Sequence, residues 1–292
     1  MIREYFPRLT GERVNILILG KSGANHAGAE LTDTLILASI SLTKPAISLV
    51  SIPRDIWVAE IRAKINSAYF WGQEKPELGG GFVLAKSLVA KITGQPIDYA
   101  LIIDFSGFKE IVDAVGGIKM EVANSFTDRQ YPIAGKENDN CNGDKEFKCR
   151  YETVHFDQGL VRMNGETALK FVRSRNGDNN ENTDIAREAR QQKVISAIKT
   201  KVLSFGSLLN VFRDRRIYLA LKNSVTTDFD LKQGSALIPR LILARNNVKS
   251  FVSPEGVLVN PPALPKYDLQ YVFVPKGGDW KAVADWIKNV LP

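Results

Sequence analysis

Apolar positions along this chain recur with two different periods. Short apolar runs, "VNILILG" over residues 14–20, "DTLILASIS" over 33–41 and "AISLVSI" over 46–52, predict three buried strands. Residues 42–45 form a connection of hairpin length, which makes the second and third strands antiparallel. "YALIIDF" (99–105) and "IKMEV" (118–122) predict two more. Helical spacing of Val83, Leu84, Leu88 and Ile92 predicts a helix over 79–93. "SGFKEIVDAVGG" (106–117) reads as a short helix ended by its Gly pair. Residues 123–160 read as loop and insertion. A helix then starts in 164–175 with Asn164 as N-cap, and a long one runs from Asp184 to about Leu203. Near the C-terminus, "LQYVFVP" (269–275) predicts a strand and "DWKAVADWIKNVL" (279–291) a helix. Strands alternating with helices predict an α/β fold, a mixed central β-sheet flanked by helices on both sides. No repeat or linker interrupts residues 13–292, which are expected to form one domain after an N-terminal linker at 1–12.

Composition narrows the partner. The chain has 292 residues, 44% hydrophobic and 24% charged, with net charge +7. That is globular composition, and a basic balance suits an anionic partner: phosphate, nucleic acid or an acidic lipid surface. No apolar run reaches the roughly 18 residues that span a bilayer. The start, "MIREYFPRLTGERVN", lacks the apolar stretch of a signal peptide. Cys141 and Cys149 sit close together in the polar stretch "CNGDKEFKC", which favours a disulfide and an oxidising compartment. A zinc site would need a second Cys/His pair at ligand spacing.

Several chemistries are excluded on spacing. "GKS" at Gly20–Ser22 follows a strand, but a P-loop needs Gly where Asn15 stands. There is no G-x-S-x-G, and His26 and His155 are the only histidines, so a serine–histidine hydrolase is poorly supported. No DNA-reading element accompanies the positive charge, so no nucleic-acid partner is expected.

The strongest chemical signal is "FVRSRNGDNNENTDIAREARQQ", residues 171–192. It places Arg173 and Arg175 before a polar loop and Arg187 and Arg190 after it. At about 100° per residue, Asp184, Arg187 and Gln191 fall on the stripe of Val194, Ile195, Ile198 and Val202, with Lys193 opposite. An arginine on a protein-facing stripe must be paired or ligand-bound. The planar fork of arginine suits bidentate contact with phosphate, and several forks near a helix N-terminus make a polyphosphate cradle. Arg54 in "SIPRDIWV", and Lys64 and Asn66 in "AKIN", fit the same cradle. Asp33 and Asp104 stand at strand ends. Asp33 is the candidate ligand for Mg²⁺, a hard ion that bridges to substrate phosphate.

These motifs, in this order, resemble the LytR-CpsA-Psr family of cell-envelope phosphotransferases. The carriers are "TDT" (32–34), "SIPRD" (51–55), "KIN" (64–66), "IDYALIIDFSGFKEIVDAVGGI" (97–118), "MNGETALKFVRSR" (163–175) and "DIAREARQQ" (184–192), with 15–203 the best-matched core. The resemblance implies transfer of a glycosyl phosphate from a polyprenyl-pyrophosphate-linked glycopolymer to a peptidoglycan hydroxyl, at the extracytoplasmic, membrane-proximal side of the envelope. It implies that Arg54, Lys64, Arg173, Arg175, Arg187 and Gln191 hold the pyrophosphate. Asp33 would ligate Mg²⁺, and Asp184 would keep the arginines in place. Arg190 and Asn66 are added as substrate contacts. Two positions depart from the family pattern: Ser22 stands where an Asp is usual, and Leu31 where an Arg is usual. The family's N-terminal anchor is not in the sequence. A pyrophosphate-binding module without turnover and a polyprenyl pyrophosphate hydrolase stay open beside the transferase.

Overall fold

A computed structural model of the chain describes residues 11–22, 29–202, 222 and 224–292. His26 and most of the expected N-terminal linker lie outside the described residues. The apolar runs form the expected strands β1 (Arg13–Lys21), β2 (Thr32–Ser41) and β3 (Ile47–Ile52). A two-residue pair follows, β4 (Trp57–Val58) and β5 (Ala63–Lys64). Helix α1 (Ala68–Glu74) leads into α2 (Gly81–Thr93), which starts two residues later than expected because Gly79 and Gly80 take positive φ. Strand β6 (Tyr99–Ile103) stops where Asp104 turns outward to cap α3 (Phe105–Ala114), accepting from the Gly107 N–H at 2.8 Å. The Gly116–Gly117 pair, with φ near +79° and +78°, ends that helix in the left-handed region and feeds β7 (Ile118–Val122).

The stretch expected as loop contains three strands, β8 (Phe126–Pro132), β9 (Tyr151–Phe156) and β10 (Gly159–Met163). β8 and β9 pair antiparallel, with a register shift between Asp128 and Tyr131. Asn164 then caps α4 (Gly165–Arg173) by accepting from the Thr167 N–H. α5 is described over Asp184–Val202, and its expected limit, Leu203, lies outside the described residues. The C-terminal part holds β11 (Val225–Thr227), α6 (Leu231–Ala244), β12 (Val248–Phe251), β13 (Leu258–Val259), β14 (Val274–Pro275) and α7 (Lys281–Val290). Of the expected strand 269–275, Val274–Pro275 form β14 and Phe273 makes an isolated bridge to Ile56, whereas Asp268 and Leu269 turn through left-handed φ.

The described residues cluster into two compact units. Unit 1 comprises 11–22, 30–103 and 225–292; unit 2 comprises 29, 104–202, 222 and 224. Unit 1 carries a six-stranded sheet in the order β11-β6-β1-β2-β3-β12. It is mixed: β2 is antiparallel to β1 and β3, whereas β6 runs parallel to β1 and β12 parallel to β3. Leu17, Leu19, Leu35 and Leu37 pack with Leu84, Leu88 and Val89 of α2 and with Val283 and Ile287 of α7. Ile16, Ile36 and Ile40, which alternate with them, are buried as well, and α6 packs against β2. Burial on both faces explains why these strands read as unbroken apolar runs. Unit 2 has its own core of Phe126, Phe156, Phe171, Met163, Val112 and Val194.

Candidate functional site

In unit 1 the register of the sheet builds the first cluster. Leu35 pairs with Ile52 across β2 and β3. Two residues before Leu35 is Asp33, and two after Ile52 is Arg54, so the antiparallel register carries them to one end of the sheet. Arg54 Nη1 donates to Asp33 Oδ1 at 2.7 Å, and its Nε lies 3.5 Å from Asp55 Oδ2. β5 brings Lys64 back beside them, and Lys64 Nζ donates to Asp55 Oδ1 at 2.7 Å. Asn66 is buried; its N–H donates to the Arg54 carbonyl, and its own carbonyl accepts from Thr32 Oγ1 at 2.9 Å. Burial disfavours the Arg54 charge, but Asp33 and then Asp55 outweigh it and hold the guanidinium above its ordinary range. Arg54 and Asp33 are both partly exposed, so their pairing contributes about 1 kcal/mol or less to stability. Its importance is positional. Asp55 and Thr32 belong to this cluster though no role was expected of them; both lie inside the motifs "SIPRD" and "TDT".

In unit 2 the polar loop after α4 is laced to β8. Asp128 is fully buried; its Oδ2 accepts from the N–H groups of Arg175 and Asn176, and its Oδ1 from that of Gln130. Asp178 Oδ1 accepts from the Thr127 N–H at 2.7 Å. Gly177 is required where the loop crosses β8, since a Cβ there would stand 2.7 Å from the Phe126 ring. These contacts place Arg173 at the C-terminal end of α4, half-buried. Its guanidinium lies 4.6 Å from the Phe105 ring centroid and 5.5 Å from that of Tyr131, and Nη1 donates to the Tyr131 hydroxyl at 3.3 Å. Arg175 follows, exposed. Arg187 and Gln191 are half-buried on α5, as the stripe predicts, and Lys193 is exposed. The Asp184 side chain lies outside what is described.

Arg190 differs from its expected role as a substrate contact. It is 3% exposed, and the buried face of α5 is centred on it and Val194, one step round from the expected stripe. Its Nε donates to the Phe171 carbonyl, Nη2 to the Ser174 carbonyl, and Nη1 to both the carbonyl and the carboxylate of Glu181. It also stacks on Phe126 at 4.9 Å. With its three nitrogens engaged in protein contacts, Arg190 braces the loop. Asp128 and Glu181 are the functional residues that sequence reasoning missed. No periodic signal in "FTDRQY" marks Asp128, because its apolar residues, Phe126 and Tyr131, do not alternate.

Mg²⁺ fits this chain only as a shared ion. Asp33 offers one carboxylate, partly exposed and already bonded to Arg54, so most of a six-oxygen shell would come from water and phosphate. Among the described residues, the group whose donor atoms lie close enough to hold a metal is Asp139, Cys141 and Cys149. The two sulfurs there are joined as the expected disulfide, so they supply no thiolate.

Comparison with known proteins gives the family and the fold. The polyisoprenyl-teichoic acid–peptidoglycan teichoic acid transferase TagU of Oceanobacillus iheyensis is 29% identical over 255 residues, 85% of this chain and 69% of the relative. The protein of the same name from Bacillus cereus is 31% identical over 227 residues, 76% of this chain and 62% of the relative. The chain thus spans about two thirds of the length of these curated relatives. The crystal structure of B. subtilis TagV superposes with a TM-score of 0.67 at 23% identity, covering 97% of this chain and 98% of that one, which is a likeness of fold. The LytR_cpsA_psr family model matches residues 5–260, the greater part of the sequence, and the chain belongs to that family.

Proposed function

We propose that this chain is a phosphotransferase. It moves a glycosyl phosphate from a polyprenyl-pyrophosphate-linked glycopolymer to a hydroxyl of peptidoglycan, on the extracytoplasmic side of the envelope. The observation that carries the reading is the segment 171–191, which holds Arg173, Arg175, Arg187 and Gln191 and whose backbone is anchored on a buried carboxylate, Asp128, through the N–H groups of Arg175 and Asn176. The names of the TagU relatives point the same way. The Cys141–Cys149 disulfide suits an oxidising compartment. Among the described residues, no helix is long and apolar enough to cross a membrane.

In the reaction, the acceptor oxygen attacks the phosphorus that bears the sugar, and its proton leaves to a base. The bond from that phosphorus to the bridging oxygen breaks, and polyprenyl phosphate departs. Such a step asks the protein for positioning and charge neutralisation rather than covalent chemistry. Within unit 2, Arg173 and Arg175 suit the non-bridging oxygens. Mg²⁺, when bound through Asp33, would supply neutralisation of the charge that develops on the leaving polyprenyl phosphate. A second reading, a binding module without turnover, is favoured by Ser22 standing where the family usually has an Asp. The test is titration with a polyprenyl pyrophosphate beside thermal melting. Arg173→Ala should lose about 1.5–3 kcal/mol of binding, as expected for a charge-assisted hydrogen bond, while the fold survives. Unchanged affinity would remove the cradle from the account.

A further inference from the structure

Of the two peptide groups that join the arginines of "RSR", the second, Ser174–Arg175, is held at both edges. The Ser174 carbonyl accepts from Arg190 Nη2 at 2.6 Å. The Arg175 N–H, on the opposite edge of the same planar peptide, donates to Asp128 Oδ2 at 3.0 Å. Both clamping side chains are buried, Asp128 at 0% and Arg190 at 3% exposure. Each is fixed in turn. Asp128 also accepts from Asn176 and Gln130, and Arg190 is tied to Glu181 and Phe171. Ser174 is itself fully buried, with its N–H and hydroxyl both bonded to the Lys170 carbonyl. That is far more anchoring than an exposed turn after a helix requires, and rotation of this peptide plane would re-aim the Arg175 side chain.

We propose that Asp128 and Arg190 are positioning residues: by gripping the Ser174–Arg175 peptide from opposite edges, they set the direction of Arg175 relative to Arg173, and so the fit of the pair to a pyrophosphate. The proposal rests on the phosphotransferase reading. Neither residue touches substrate. Removing the clamp swings Arg175 away without deleting it, so its effect passes through Arg175.

A double-mutant cycle separates that effect from mere stability. Geranylgeranyl pyrophosphate is titrated calorimetrically into the full chain, Arg175→Ala, Arg190→Lys and the double variant, with melting followed in parallel. Lysine keeps the charge but has one nitrogen for contacts that arginine makes with three. In the parent background, Arg190→Lys should weaken binding about tenfold. In the Arg175→Ala background it should weaken binding less than about threefold, while lowering the melting temperature equally in both. An equal affinity loss in both backgrounds overturns the proposal. Should Arg190→Lys fail to fold, Asp128→Asn completes the same cycle with the same criteria, since an amide nitrogen facing the Arg175 N–H cannot accept from it. If the parent binds no pyrophosphate, the phosphotransferase reading falls and this inference with it; if the parent binds and the cycle is additive, only this inference falls.

Discussion

Tyr131 shows how much a single side chain decides at this site. It is 3% exposed, and its hydroxyl faces the Arg173 guanidinium. Burial pushes that hydroxyl up to about 12, with the Arg173 charge working the other way. The folded protein therefore keeps this proton where the unfolded chain, with a tyrosine value near 10, has lost it. The contribution is fully present below about pH 10 and disappears as pH rises towards 12, amounting to about 2 kcal/mol. Tyr131→Phe should flatten that part of the alkaline decline, as chemical denaturation of both proteins between about pH 9 and 11 would reveal. Parallel declines would contradict a buried, protonated hydroxyl. Asp33 offers a second prediction at this scale. Bonded to Arg54 and partly exposed, it can lend Mg²⁺ little alone, so metal and pyrophosphate should bind with positive, reciprocal coupling. Asp33→Asn should erase the coupling yet leave metal-free binding largely intact, because the arginines remain. Calorimetry with Mg²⁺ and with chelator decides it. Equal affinity under both conditions in the parent protein would contradict a shared metal site.

The β8–β9 hairpin is the element where sequence and structure part. The strands of the six-stranded sheet were legible because burial on both faces leaves uninterrupted apolar runs. The two arginines of "RSR" and the half-buried Arg187 and Gln191 of α5 were legible from spacing. β8 was not, because the register shift at Asp128–Tyr131 leaves Arg129 and Gln130 exposed in succession and breaks the two-residue period. A buried aspartate and a terminal proline hide it further. Arg190 was misjudged for a related reason. A helical wheel shows which face turns inward, but not that the carbonyls of Phe171 in α4 and of Ser174 and Glu181 in the loop after it wait there as acceptors. At the hairpin's far end, the Cys141–Cys149 bond closes a ring with a sequence separation of eight. A ring that short should contribute about 2–3 kcal/mol. The double Cys141→Ser, Cys149→Ser variant should lose that much in denaturant unfolding. An unchanged midpoint would mean that the hairpin is held by its ladder alone.

Across the whole molecule, the positive charges suited to phosphate are divided. Arg54 and Lys64 belong to unit 1, and Arg173, Arg175 and Arg187 to unit 2, with the neutral amide of Gln191 beside Arg187 on α5. The ion pairs of Arg54 and Lys64 are partly exposed and contribute little to stability, and each unit has an apolar core of its own. The net charge of +7 adds long-range attraction for an anionic ligand that salt should weaken. The most direct measurement is a transfer reaction with purified chain, a polyprenyl-pyrophosphate-linked glycopolymer and peptidoglycan. Glycopolymer attached to peptidoglycan through phosphate and free polyprenyl monophosphate should appear in equal amounts, and both should vanish with Arg173→Ala. Polyprenyl phosphate released equally well without peptidoglycan, or no product from a protein that binds the donor, would contradict the account.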